Sequence, residues 1–435
     1  MAKTIKFKPQ VGALNRILLQ EPNTNETDFV FDRNGKSTVR DESGFLKNVD
    51  ANLPRFNFRL DKKCPSLLIE PLTKNEMRYS EDFSVDTFWT KTNGFILSDV
   101  AISPRGTLNA DKFVQNKLIG LHFITHANIP SVIGSRYFSI YAKKGESYKI
   151  AIKDSLDVSG AYVSFDLKQG VVLDEYIAKG YILDEGNDWY RIVYKRFGYN
   201  QVPKYEIIIL ENNYEKGSVT NAYLGDGKSG LYLWGAQSEL GYNDSESLTS
   251  YIPTLTNEEV IRSKEEAVAF GMENYINDNE GVLFMNSKSL DVSRNSTDRY
   301  ISLSDGTINN RVCIYYDNYL NTIKARVQKG IIPFNLSDIF FRKVDASFSK
   351  IAFRYKENNI SLWVDGFKVD EKFIIETPIG LNQLRLDQGN GRQNFEGEIA
   401  ELWYDDKFLT DVELEENTSY SSFKELADNF NYTIL

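Results

Sequence analysis

The chain is poor in the residues that build metal centres and disulfide frameworks. Its 435 residues include 2 cysteines, Cys64 and Cys313, and 2 histidines, His122 and His126. A structural zinc site needs four ligands and a catalytic one three, so the histidines are predicted to be ordinary strand residues, with no metal and no cofactor. We expect free cysteines in a chain folded in a reducing cytoplasm; one disulfide between them is the alternative.

Long apolar runs and clustered basic residues are also missing. No segment approaches the about 20 apolar residues that span a bilayer, and the start, MAKTIKFKPQVGALNR, lacks the apolar run of a secretory signal. The net charge is −10, with 61 acidic and 51 basic residues and no basic block of the kind that binds nucleic acid. We therefore expect neither membrane insertion nor nucleic-acid binding.

Aromatic residues and short alternating segments dominate what is present. The chain has 25 Tyr and 27 Phe but only 4 Met, a mixture that favours strands. In RYFSIYAKKGESYKIAIKD the side chains of Phe138, Ile140 and Ala142 fall on one face, which predicts an antiparallel hairpin around KKGES. SKIAFRYKENNISLWVDGFKVDEKF repeats the pattern, with a tight turn at Asp365-Gly366. Short strands without long helices predict β-sandwiches or jelly rolls.

These patterns predict an all-β protein with two tandem antiparallel β-sandwich (jelly-roll) domains. An extended N-terminal arm is expected before them. A short helix is expected near the C-terminus, where Thr410 is a suitable N-cap residue and Glu413 follows three residues later, as in a capping box. The predicted domains are 1–66, an extended assembly arm; 67–253, the first sandwich; 254–275, a linker; and 276–435, the second sandwich with the helix.

Ala222–Ser229, AYLGDGKS, has the spacing of a nucleotide-binding phosphate loop. Such a loop needs a helix whose N-terminal amides point at the phosphates. The next residues, GLYLWGAQSEL, alternate as a strand instead. We therefore predict a hairpin turn and no nucleotide site.

Glu396, Glu398 and Glu401 in FEGEIAELWYDD resemble the carboxylates that some jelly-roll glucanases place on one strand. Retaining glycoside hydrolysis needs two carboxyl groups about 5 Å apart. In a regular strand Glu396 and Glu398 would share a face and Glu401 would point away. We predict no catalytic residue here, and keep a polysaccharide-degrading hydrolase that uses Glu396 and Glu398 as the alternative.

Tryptophans are the candidate sugar-stacking residues. Trp234, Trp363 and Trp403 lie within alternating strands and are predicted to be in or near the core. Trp89, in SVDTFWTKTNG, and Trp189, in DEGNDWYR, lie in less regular stretches. We therefore predict these two as the carbohydrate-binding residues.

Several segments resemble modules of bacteriophage tail and fibre proteins. CPSLLIEPLTKNEMRYSEDFSVDTFWTKTNG, FSIYAKKGE, DWYRI, SGLYLWGAQSEL and TSYIPT resemble a module that usually takes the form of a carbohydrate-binding-module jelly roll. EGVLF, KIAFRYKENNISLWVDGFKV and FEGEIAELWYDDKFLTDVEL are similar to a concanavalin A-like, laminin-G-like sandwich. The resemblance covers roughly residues 40–420 and is specific to architecture rather than to a ligand.

The resemblance implies a non-enzymatic structural protein of the virion, in a tail, fibre or related appendage. Its implied partners are other virion proteins, further copies of the chain, with a trimer expected, and host-surface glycans. Such folds also act purely as spacers, so an adhesive and a scaffolding role both stay open. A bacterial surface adhesin is a further alternative, which the missing signal segment disfavours.

Overall fold

A computed structural model of the chain describes residues 4–7, 29–60, 64–126, 134–157, 159–199, 203–241, 248–290, 297–317, 322–331, 339–342, 347–373 and 376–420. These residues form antiparallel strands and one short helix, which confirms the predicted fold class. The strands up to residue 75 are β1 (Thr4–Phe7), β2 (Val30–Asp32), β3 (Ser37–Arg40), β4 (Leu46–Val49), β5 (Phe56–Asn57), β6 (Ser66–Ile69) and β7 (Thr73–Asn75).

The first sandwich is built from two six-stranded sheets. Its strands, with two short ones beside it, are β8 (Trp89–Thr92), β9 (Gly94–Ile102), β10 (Leu108–Gln115), β11 (Ile119–Gly120), β12 (His122–His126), β13 (Gly134–Lys143), β14 (Lys149–Asp154), β15 (Tyr162–Asp166), β16 (Val171–Tyr176), β17 (Lys179–Gly186), β18 (Trp189–Tyr199), β19 (Tyr205–Leu210), β20 (Tyr223–Leu224) and β21 (Gly230–Gly241). Sheet I has the order β17-β18-β13-β21-β10-β9, and sheet II has the order β16-β15-β14-β19-β12-β8.

The core of this sandwich contains the alternating residues that the sequence indicated. Phe138, Ile140 and Ala142 of β13 face Ile150 and Ile152 of β14 across it. The predicted hairpin is wrong, however, because β13 belongs to sheet I and β14 to sheet II. The chain crosses from one sheet to the other at KKGES, and both strands bury their alternate residues between the sheets.

The second sandwich is formed mainly by the C-terminal part of the chain. Its strands, with one short strand before it, are β22 (Val260–Arg262), β23 (Glu266–Ala269), β24 (Glu280–Ser289), β25 (Arg299–Ser304), β26 (Asn310–Asp317), β27 (Thr322–Lys329), β28 (Ile339–Arg342), β29 (Ser349–Lys356), β30 (Asn359–Val364), β31 (Phe367–Lys372), β32 (Gln383–Arg385) and β33 (Gly397–Asp405), followed by α1 (Asp411–Thr418). Sheet III has the order β31-β30-β29-β24-β33-β6-β5, with β1 also on β33, and sheet IV has the order β2-β23-β32-β25-β26-β27-β28.

The N-terminal segment, from β1 to β6, takes part in this second sandwich. β2 pairs with β23 and β6 pairs with β33. Phe31 and Leu67 from this segment pack in the same core as Leu283 and Phe353. β22 and β23 lie within the segment predicted as a linker. The predicted domain boundaries stay predictions, and within the described residues the segment predicted as an arm supplies strands to the second sandwich.

Two local predictions are confirmed at the C-terminal end. Asp365 and Gly366 both have positive φ, +50° and +89°, at the turn between β30 and β31. Helix α1 begins after Thr410, whose side chain accepts a hydrogen bond from the Glu413 N–H while Glu413 reaches back to the cap N–H. Leu414 of this helix is buried against the outer face of sheet III.

The AYLGDGKS segment forms a turn, with no helix after it. The Asp226 carboxylate accepts hydrogen bonds from the N–H groups of Lys228 (2.8 Å) and Ser229 (2.7 Å), and strand β21 follows. The prediction of a hairpin at this turn is wrong, because the strands on its two sides do not pair with each other. β20 pairs with β11, whereas β21 pairs with β10 and β13. The loop lacks the helix N-terminus that a phosphate site requires.

Candidate ligand-binding cleft

A buried cluster of arginines and glutamates joins the N-terminal segment to both sandwiches. Glu265 accepts hydrogen bonds from Arg33 Nη1 (2.9 Å), from Arg55 Nε (2.8 Å) and from the Glu70 N–H (2.8 Å). Arg55 Nη1 also lies 2.7 Å from Glu70, and so does Arg262 Nη1. Because buried charges are costly unless paired, these contacts fix the position of the residues around them.

The charges in this cluster determine the ionisation of Glu70. Burial raises the pKa of Glu70, but the neighbouring Arg262 and Arg55, together with two hydrogen bonds from Ser250, outweigh it and bring the pKa to about 2. Glu70 is therefore a carboxylate at neutral pH, and it holds Ser250 through both the N–H and the hydroxyl, each at 2.7 Å. Ser250 belongs to the segment that follows the first sandwich.

A cleft of about 770 Å³ lies beside this cluster, between the two sandwiches. Its walls come from four parts of the chain: the β3–β4 ribbon, the β17–β18 edge of sheet I, residues 248–251 after the first sandwich, and the end of sheet III where β24, β33 and β6 meet. The lining includes Asn57, Lys179, Tyr181, Leu183, Lys195, Lys288 and Glu398.

Strand alternation explains which side chains of sheet I reach the cleft. Ile182 and Ile192 are register partners that turn toward the sandwich core. Their neighbours Tyr181 and Leu183 therefore turn outward and line the cleft. Lys195 of β18 also lines it, with its ammonium 5.2 Å from the centre of the Tyr137 ring.

The wall from sheet III carries charged side chains opposite each other. Lys288 of β24 and Glu398 of β33 are direct cross-strand partners. Glu398 also accepts a hydrogen bond from the Ser66 hydroxyl. On the opposite wall Arg40 is paired with Glu185, and burial raises the pKa of Glu185 despite the nearby Arg40. The cleft thus presents an aromatic ring, aliphatic surface and several hydrogen-bonding groups.

The two predicted carbohydrate-binding tryptophans lie away from this cleft. Trp89 is 0% exposed in the first core, where its indole N–H donates to the Tyr79 carbonyl and its ring packs on Phe83. Trp189 is 2% exposed, and its N–H donates to the Ile102 carbonyl. Neither indole presents an open face on which a sugar could stack. Their binding role stays a prediction that this burial does not favour.

The tryptophans predicted for the core are buried. Trp234 lies against Tyr141 and Tyr251, beneath the N-terminal segment. Trp363 and Trp403 lie beneath helix α1. These placements confirm the alternation argument for all three.

Glu396 and Glu398 contact different sheets. Glu396 precedes β33, and its carboxylate lies 3.0 Å from Arg299 Nη2 of sheet IV. Burial raises the pKa of Glu396, while Arg299 lowers it. Glu398 lies within β33, and a register shift separates it from Glu401. The regular strand assumed for these residues is therefore not formed.

The histidines and cysteines lie in unrelated surroundings. His122 Nδ1 is 2.6 Å from the Asn93 carbonyl, and His126 Nε2 accepts a hydrogen bond from the Arg78 N–H. Among the described residues, no group of three or more His, Cys, Asp or Glu is arranged to hold a metal ion. Cys64 is free and exposed, and Cys313 is free and buried. The helix in the described part of the chain is too short and polar to cross a bilayer.

Sequence reasoning missed the cleft residues because they lie far apart in the chain. Tyr181, Lys195 and Lys288 come from three separate strands, and each looks like an ordinary outward-facing residue of an alternating segment. The useful signal was the alternation itself, which places Tyr181 and Leu183 on the outer face. It could not show that a second sandwich would stand opposite that face.

Comparisons with known proteins assign no family to the chain. No protein-family model matches the chain, and no curated protein matches it. Similar solved structures include the CBM40 module of the Ruminococcus gnavus IT-sialidase, with 14% identity over 33% of this chain and 84% of that one. The same module bound to α2,3 sialyllactose has 15% identity over 32% and 83%. Both TM-scores are 0.27, so this likeness carries no statement about a ligand of this chain.

Proposed function

We propose that this chain is a non-enzymatic structural protein that binds a glycan in the cleft between its sandwiches. The observation that carries the proposal is the cleft itself, with Tyr181 and Leu183 on one wall and Lys288 and Glu398 on the other. Its volume of about 770 Å³ lies within the range of small-ligand sites. Such sites occur preferentially at the boundaries between domains.

The chemistry of the lining suits a saccharide. A sugar ring has an apolar face of C–H groups and a rim of hydroxyls that donate and accept hydrogen bonds. Tyr181 and Leu183 provide surface for the apolar face, because an aromatic ring combines a flat apolar body with a polar tip. Asn57, Lys195 and Glu398 provide donors and acceptors for the hydroxyls.

The proposed setting is a bacteriophage tail, fibre or related appendage. This part of the proposal is supported by the resemblance of segments such as SGLYLWGAQSEL to phage tail modules. The glycan would then be one on the host surface, and the chain would assemble with other virion proteins and with further copies of itself, a trimer first of all. Two sandwiches joined by a buried ion-pair cluster suit such a role, because the cluster orients the cleft relative to both of them.

The alternative is a glycoside hydrolase that uses Glu396 and Glu398. Its support is the raised pKa of Glu396, a property that general acids share. Against it, Glu396 is held by Arg299 and is not among the cleft-lining residues. An assay for reducing ends released from polysaccharides separates the two functions. Release that Glu396→Gln or Glu398→Gln abolishes would replace our proposal with the hydrolase.

The proposed function is tested by binding measurements on the full chain and a pair of tyrosine variants. A glycan array identifies ligands, and calorimetry then compares the wild type with Tyr181→Ala and Tyr176→Ala. Tyr176 is 51% exposed and lies on sheet II, outside the cleft. Loss of one stacking ring should weaken binding about tenfold or more in Tyr181→Ala and leave Tyr176→Ala like the wild type. An array without a hit, or equal effects of both substitutions, would refute a glycan site in the cleft.

A further inference from the structure

The lining of the cleft has a charge opposite in sign to the chain as a whole. Five basic residues line it, namely Arg40, Lys179, Arg191, Lys195 and Lys288, against three acidic ones, Glu70, Glu185 and Glu398. The formal charge of the lining is therefore +2, whereas that of the chain is −10. An excess of positive charge in a concave surface between low-dielectric walls favours an anionic ligand.

Two of the three acidic side chains of the lining are paired with arginines. Glu70 is paired with Arg55 and Arg262, which lie behind the cleft wall and are 0% exposed. Glu185 is paired with Arg40. Among the described residues Glu398 has no basic partner within ion-pair distance, and it accepts a hydrogen bond from the Ser66 hydroxyl. A ligand in the cleft therefore experiences less negative charge than the number of carboxylates suggests.

Three lysines line the cleft and differ in their exposure. Within the described residues the Lys288 side chain has neither a hydrogen bond nor an ion pair, although the Lys288 backbone pairs with that of Glu398 in the sheet. Lys195 is only 9% exposed, and its ammonium lies over the Tyr137 ring. Lys179 is 69% exposed at the rim, where it pairs with Glu175. Lys288 and Lys195 come from the two opposing sandwiches and line the same cleft.

We infer that the cleft selects glycans that carry negative charge, as carboxylate or sulfate groups, and that Lys288 and Lys195 bind those groups from opposite walls. The inference rests on the proposed function and names its ligand class. An anion between the two ammonium groups forms charge-assisted hydrogen bonds, which are stronger than those to neutral hydroxyls. A neutral saccharide of the same length gains only the weaker contacts.

The test compares ligands that differ in charge alone. The full chain is screened on an array with neutral, carboxylated and sulfated glycans, and an oligogalacturonate is measured beside its methyl ester, which keeps the sugar and removes the charge. We expect charged glycans to bind and their neutral counterparts to bind at least about tenfold more weakly. Raising NaCl from about 50 mM to about 500 mM should weaken only the charged ligands.

Lysine-to-methionine variants locate the effect, because they keep the length of the side chain and remove its charge. Lys288→Met and Lys195→Met should each lower the affinity for charged glycans about tenfold. Lys228→Met is the matched control, since Lys228 is exposed in the AYLGDGKS turn and outside the cleft. Circular dichroism and the unfolding midpoint show whether each variant is folded.

The results distinguish a failure of this inference from a failure of the proposed function on which it rests. Charged hits that depend on Lys288 and salt support the inference. Neutral hits that Tyr181→Ala abolishes while Lys288→Met leaves them unchanged would overturn it and leave the proposed glycan site standing. Charged hits that Lys228→Met weakens as much as Lys288→Met would also overturn it. An array with no hit at all would remove the proposed function and the inference together.

Discussion

At the scale of single residues, the most consequential group is Arg55. It lies between Glu70 and Glu265 and is 0% exposed, and its guanidinium also reaches Ser250 Oγ at 2.7 Å. Breaking a buried ion pair by removing one partner costs about 3–5 kcal/mol, because the other charge is left uncompensated. The position of Ser250, and with it one wall of the cleft, therefore depends on ionised Glu70.

Glu70→Gln tests this dependence through pH. The pKa of Glu70 is lowered from 4.5 to about 2 on folding, so its contribution to stability is complete above pH about 4.5 and is lost as the pH falls toward 2. The shift corresponds to a stabilisation on the order of 3 kcal/mol at neutral pH. Urea unfolding of the wild type and the variant should give a large gap in unfolding free energy at pH 7 that narrows below pH about 4.

Glu211→Gln is the control for this experiment. Glu211 is exposed and its side chain has no hydrogen bond or ion pair among the described residues, so the exchange should change the unfolding free energy by less than about 0.5 kcal/mol. A gap between wild type and Glu70→Gln that stays constant from pH 7 to pH 3 would contradict the assignment of a charged, stabilising Glu70.

The sequence revealed those single residues whose partners are close in the chain. The cap at Thr410 and the turn at Gly366 were predictable, because each depends on neighbours within a few positions. The contact of Arg55 with Glu265 spans 210 residues, and no local pattern indicates it. The same limit applies to Lys195 and Lys288, whose proximity in the cleft depends on how two separate sandwiches are joined.

At the scale of elements, alternation predicted strands but not their partners. Both β13 and β14 place alternate residues in the first core, yet they lie in different sheets. A two-residue period fixes which face is buried, and it is the same for a hairpin and for a crossing between sheets. The β29–β30 and β30–β31 hairpins were predictable because glycine or asparagine marks each turn: Asn358 and Gly366 both have positive φ.

Gly366→Ala measures how strongly the β30–β31 turn requires glycine. Its φ is +89°, and an added Cβ would lie 2.8 Å from Ser419 Oγ. Gly380 has φ +74° with no atom within 4 Å of its Cβ position, so Gly380→Ala carries the backbone cost alone, about 1 kcal/mol. Thermal unfolding should show a larger loss of stability for Gly366→Ala than for Gly380→Ala. Adding Ser419→Ala to Gly366→Ala should remove most of this additional loss of stability. An additional loss that stays unchanged would refute the steric explanation.

At the scale of the whole molecule, the N-terminal segment completes the second sandwich and tethers it to the first. β2 and β6 add to sheets IV and III, while Arg33 and Arg55 enter the buried cluster with Glu265. Deleting residues 1–64 would remove both arginines together with β1–β5. A change in oligomeric state after that deletion would therefore not by itself identify an assembly arm, because the fold would change as well.

Arg55→Met separates the role of the cluster from that of the strands. We expect the wild type to unfold in one calorimetric transition, since Arg55 connects Glu265 and Glu70, both beside strands of the second sandwich, with Ser250, which follows the first. Arg55→Met should lower the unfolding free energy by about 3–5 kcal/mol, and the variant should unfold in two transitions. Arg354→Met is the control, because this 4%-exposed arginine pairs with Asp411 of helix α1, so the contact lies within the second sandwich and its helix. This variant should lower the temperature of the single transition without splitting it. Two transitions already present in the wild type would show that the cluster does not couple the sandwiches.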